Sequence, residues 1–161
     1  MLSIGRAVVR AVSDAPGIQE LQVSLLAGEL RGRVQYFQPF GLSAVPLAGA
    51  EAAVVFPGGD RGHGIAVAVD DPRYRPHLNP GESCLYNAKG VKITLLDDNT
   101  IEITGATLTK INGNLRVTGE ITDRCATDGL SMANMRTKYN DHTHDENDNG
   151  GPTDEPDQQM V

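Results

Sequence analysis

Two histidines one residue apart, His142 and His144, stand in the stretch KYNDHTHDENDNGGP (residues 138–152) of an acidic, glycine-rich tail. In an extended chain, residues i and i+2 face the same side, so this spacing aims two imidazoles at one point. Neutral imidazole is a common metal ligand. A metal takes about four to six ligands, and no other His or Cys lies nearby in sequence. Asp141, Asp145 or Glu146 could complete an open catalytic shell within one chain. A polar chain end, however, offers no walled pocket for a substrate. Alternatively, the two histidines are chance residues of a flexible tail. If three copies meet on an axis, they bring six imidazole nitrogens together, an octahedral shell. Such a shell is closed and therefore structural, because catalysis needs an open coordination position.

Other residues with chemical potential read more plainly. PGGDRGHG (57–64) has the glycines of a phosphate-binding loop but lacks its Gly-Lys-Ser/Thr ending, so it reads as a hairpin turn. His63 and His77 fall in turn and linker sequence, where solvated histidines are the rule. Cys84 and Cys125 form no CxxC motif and read as two reduced thiols. Net charge is −7 with no basic block, which argues against nucleic acid as a partner. No apolar run is long enough for a transmembrane helix, and arginines interrupt the N-terminus too early for a signal peptide. The expectation is therefore synthesis in a cytoplasm.

The elements that would carry the histidines read as all-β. Phe and Tyr make up only 4 % of the residues and Trp is absent, which leaves little for a large aromatic core. Residues 1–18 read as a lead-in. The segments 20–30, 31–40, 50–57 and 64–71 are short apolar strands separated by Gly and Pro, which suggests a small β-barrel over residues 19–76. Residues 77–83 complete a proline-rich linker. From there the odd positions carry Val91, Ile93, Leu95, Ile101, Ile103, Ile111, Leu115, Val117 and Ile121, while the even positions are apolar only at Leu96, Ala106 and Leu108. Period-two alternation puts the first set on one face, and that face needs a partner. Two arrangements supply one. Strands of three chains can wind into a β-prism, with Gly105, Gly113 and Gly119 on the inward phase, or one chain can form a four-stranded meander. Met132, Met135 and Tyr139 have helical spacing. Residues 141–161 have the composition of a disordered tail unless something such as a metal orders them.

Residues 23–76, with the blocks FQPFG, AVPLAGAEA, FPGGDRGHG and AVDDPRYRP, closely resemble the baseplate spike proteins of Mu-like contractile-tailed phages, the baseplate assembly protein V family. GESCLYNAKGVKITLLDDN is similar to the start of that family's β-helix, and His142-Thr143-His144 fits its apex motif. The resemblance implies a homotrimer made of an OB-like barrel (19–76), an intertwined β-helix or β-prism (84–122) and a pointed apex (123–161). It implies one iron ion per trimer, held by His142 and His144 of each chain, and further ions such as calcium or chloride at unassigned residues. The implied function is mechanical and not enzymatic. The spike sits in the virion beneath the tail tube, bound to the tail hub, and pierces the host outer membrane when the sheath contracts. A receptor-binding fibre or adhesin is the main rival and a metal-dependent enzyme the second.

Overall fold

The computed structural model describes residues 3–15, 17–145 and 150–160 of the chain, so Glu146 lies outside the described residues. The chain divides into two compact units, residues 1–108 and 109–161. The structure is mostly β with one short helix, in agreement with the all-β reading.

The first unit begins with five strands: β1 (Ile4–Ser13), β2 (Glu20–Ser24), β3 (Leu30–Tyr36), β4 (Glu51–Val55) and β5 (Ile65–Asp70). They close into a barrel in the order β1-β2-β3-β5-β4. All pairs are antiparallel except β3 with β5, where Gln35 and Tyr36 face Ile65 and Ala66 in parallel. Alternation decides which side chains enter. Ala7 and Val9, Leu21 and Val23, Val34, Ala52 and Val54, and Ala66 all point inward and are buried. Alanines fit where strands crowd, and Phe56 is the one aromatic side chain among the largest fully buried ones. The scarcity of aromatics is thus the composition of a narrow barrel filled by small and branched residues.

One expectation is overturned here. Residues 1–18 are not a lead-in: β1 is the longest strand and joins β2 on one side and β4 on the other. Arg6 and Arg10 obscured it. They are the outward residues of an alternating strand whose inward partners, Ala7 and Val9, are small. The hairpin at 57–64 is present, joining β4 to β5 in antiparallel register.

The ion pairs of the barrel concentrate on Glu29. Its carboxylate accepts hydrogen bonds from Arg61 and pairs with Arg31, and the Arg61 guanidinium stacks 4.8 Å above the Phe56 ring. The Arg61 hydrogen bonds, aided by the charge of both arginines, hold the Glu29 carboxyl below its ordinary value. A depressed carboxylate contributes stability above its unfolded-state value and loses it as pH falls through the lowered folded value. Acid unfolding of the wild-type barrel should therefore steepen below pH 4.5, the ordinary value for this carboxyl. Glu29→Gln should flatten that limb and cost stability mainly near neutral pH, where the wild-type carboxylate is ionised. Chemical denaturation across pH measures both, and a mutant with the wild-type acid limb would remove Glu29 from the account.

After a turn-rich segment come β6 (Ser83–Tyr86), β7 (Lys92–Leu95) and β8 (Ile101–Thr104), an antiparallel sheet in sequence order. Within the single chain these residues pair with each other in a local sheet. Local turn chemistry accounts for this. Asn87 Oδ1 accepts from the backbone N–H of Lys89 and Val91, Gly90 has φ +85°, and Asn99 has φ +68° after Asp98 caps Thr100. Gly105 completes the sheet: at φ +74°, a Cβ on it would lie 2.3 Å from the Gly90 carbonyl oxygen. The register stacks Leu85, Ile93 and Ile103 in one row and Leu95 with Ile101 in the next, all on one face. Within the chain these five side chains remain at least 39 % exposed. The meander forms, with three strands and not four, but it does not bury the face that called for it.

Residues 105–121 form no strand or helix. In the second unit, Thr122 bridges to Ser131 and pinches off a loop. Within it Leu130 N–H donates to Asp123 Oδ1 and Arg124 pairs with Asp128. Helix α1 (Met132–Asn140) follows. Ser131 caps it by accepting from Asn134 N–H, and Lys138 lies in its last turn, where the dipole favours a cation. Met132, Met135 and Tyr139 do fall on a helix, as their spacing suggests, and stay about two-fifths exposed. The tail is better tied than its composition implies, since both His144 and Asn140 hydrogen-bond to residues that return from beyond position 150.

Candidate metal centre

The His142–His144 segment is positioned by the end of α1. An α-helix leaves its last carbonyls without intrahelical donors. Asp141 N–H closes one bond to the Thr137 carbonyl, and the His142 ring takes up the Tyr139 carbonyl through Nδ1. A carbonyl oxygen can only accept, so Nδ1 carries the proton in that contact. In the neutral ring the lone pair then resides on Nε2, one of the two nitrogens through which imidazole binds metals. His144 follows with its ring centroid 5.1 Å from that of His142 at an interplanar angle of 85°. Two imidazoles on adjacent octahedral positions have centroids about 4.5 Å apart, given metal–nitrogen bonds near 2.1 Å. The two rings of one chain therefore lie about 0.6 Å farther apart than such a pair of ligands.

The pair is not a complete site. Among the described residues, no group of three or more His, Cys, Asp or Glu is gathered closely enough to hold a metal. Asp141 and Asp145, the described carboxylates that a one-chain catalytic centre would recruit, do not complete one. Glu146, the third candidate, lies outside the described residues.

The remaining candidates stay apart. His63 is exposed on the β4–β5 hairpin, 3.6 Å from Asp60. His77 lies in the turn-rich segment before β6. Cys84 is half-buried, with Thr94 Oγ1 donating toward its sulfur at 3.6 Å, and Cys125 is exposed; both thiols are free. Sequence reasoning missed the Glu29–Arg31–Arg61 cluster. Glu29 and Arg31 are close in sequence, but Arg61, inside the quoted hairpin block, reaches Glu29 across 32 residues only through the barrel. No described helix is long and apolar enough to cross a membrane.

Comparison with known proteins places these observations. Over 108 residues, 66 % of this chain, the sequence is 43 % identical to the baseplate puncturing device gp45 of Escherichia phage Mu, covering 55 % of that protein. It is 44 % identical over 98 residues to the Mu-like prophage FluMu protein gp45 of Haemophilus influenzae, covering 60 % of this chain and 53 % of the relative. The chain thus spans about half the length of the curated relatives it matches. The family model described as Bacteriophage Mu Gp45, N-terminal, matches residues 6–73, which run from β1 past the end of β5 and so take in the former lead-in. Residues 6–73, the closed barrel, are therefore similar to the N-terminal domain of the Bacteriophage Mu Gp45 family.

Proposed function

We propose that this chain is a central spike protein of a contractile phage tail, acting as a homotrimer that punctures the host outer membrane when the sheath contracts. The observation that carries the reading is the 43 % identity to a protein named as a baseplate puncturing device. On this reading the protein is a component of the virion tail and works mechanically, without catalysis. The five-stranded closed barrel has the strand number of an OB-like module and would dock on the tail hub. The exposed apolar face of β6–β8 and the unpaired stretch after it would be covered by the other two chains, forming the wound β-structure.

The apex would hold one iron ion through His142 and His144 of all three chains. Bound there, the metal would act as a crosslink, tying three chain ends whose sequence carries little apolar surface. The protein's own contribution is the helix end that fixes the His142 tautomer. Iron is the metal the family implies; six imidazoles would also accept cobalt, nickel or zinc.

Location separates this reading from a receptor-binding fibre. Tails assembled with a chain tagged at its N-terminus should carry immunogold label on the axis at the baseplate. Label at the tips of lateral fibres would overturn the spike assignment in favour of the fibre.

A further inference from the structure

The segment that carries the two histidines is held from the other side by the returning tail. Thr153 grips His144 at two points: its Oγ1 accepts from His144 N–H at 2.9 Å, and its own N–H donates to the His144 carbonyl at 2.9 Å. Asn140, the last residue of α1, grips Met160 in the same two-pronged way. Its Oδ1 accepts from Met160 N–H at 2.8 Å and its Nδ2 donates to the Met160 carbonyl at 3.1 Å. The tail therefore runs back antiparallel to the 140–144 segment, pinned at both ends of the stretch containing His142. An asparagine amide reproduces the donor and acceptor of a peptide group, which explains how a helix-terminal side chain can pair with a backbone.

We propose that residues 150–160 form a strap, pinned by Asn140 and Thr153, that sets the geometry of His142 and His144 before any metal arrives. The inference rests on the metal reading above and deepens it: Asn140 and Thr153 are positioning residues for the ligands. Freezing a ligand pair in advance lowers the ordering cost of binding, and removing groups that orient ligands typically lowers metal affinity about 10–100-fold. A tail rich in Asp, Gly and Pro does not order itself by burial. Four hydrogen bonds at two residues are the means on hand.

The test uses the full chain with Co²⁺ as the probe, and two readouts. In the metal-free protein, hydrogen exchange at the His144 and Met160 amides should be protected. Thr153→Val should release the first, Asn140→Ala the second, and Thr153→Ser, which keeps the hydroxyl acceptor, should restore protection. In a cobalt titration, Thr153→Val and Asn140→Ala should bind at least about tenfold more weakly than wild type, with Thr153→Ser close to wild type. The weak visible absorption of octahedral Co²⁺ should intensify where the shell loses ligands. Unprotected amides in the wild type would overturn the strap. Released amides with cobalt affinity within twofold of wild type would overturn its positioning role. A wild-type chain that takes up no cobalt, iron or zinc while its amides stay protected would instead overturn the metal reading, and the positioning role with it.

Discussion

Val117→Asp and Ile103→Asp are each expected to abolish trimer assembly at micromolar concentration, while Thr118→Asp leaves it intact. Residues 105–120 make no backbone–backbone hydrogen bond with other described residues, and the odd-position Ile111, Leu115 and Val117 in that stretch are 47 % exposed or more. A run of unpaired peptide groups with recurring odd-position apolar side chains offers backbone and side chains that another chain could pair and cover. Three chains wound together would satisfy both needs at once. An aspartate on the inward phase would then bury three carboxylates around one axis, each losing water without gaining a partner. A total cost of about 4 kcal/mol is a low figure for such burial, and it already corresponds to roughly a thousandfold weaker assembly. Thr118, one residue on, faces outward under the same parity and serves as the control. Sedimentation of a folded, monomeric wild-type chain at micromolar concentration would end the trimer proposal, and equal assembly of all three variants would end the parity argument.

Legibility of the fold followed the range of the forces involved. β2 to β5 could be read because each is a short alternating run fenced by Gly or Pro, a purely local pattern. β1 was missed because Arg6 and Arg10 look like a charged tail until the register with β2 and β4 reveals them as the outward half of a strand. The turns that make β6–β8 a local meander were visible in Asn87, Gly90 and Asn99, yet the long odd-position parity drew attention to an axis instead. Gly105 carried both readings, and its contact with the Gly90 carbonyl favours the local one at that position. For the candidate site, spacing alone brought the two histidines forward, and their rings lie 5.1 Å apart. Their supports were not legible: Tyr139 offers only a carbonyl, and Thr153 and Met160 are joined to the site by a fold-back that no periodicity announces.

The purified wild-type protein is expected to hold one metal ion for every three chains. Each chain would supply two neighbouring imidazoles, with centroids 5.1 Å apart, and no group of three or more possible ligands gathers among its described residues. A shell completed by symmetry needs three such pairs, and a ratio of one to three is its signature. His142→Ala removes three of the six donors at once, as does His144→Ala, so either should lower metal content to background after dialysis against a chelator. Losses of this kind are not graded as they are for a single ligand, because the threefold axis repeats every substitution. The role is structural, so the barrel and the β6–β8 meander should keep their wild-type hydrogen exchange in both variants. Mass spectrometry for the metal and sedimentation for the chain count decide the matter together. One ion per chain would require each chain to complete its own shell with carboxylates and water, an arrangement with open positions, and the shared apex would have to be abandoned.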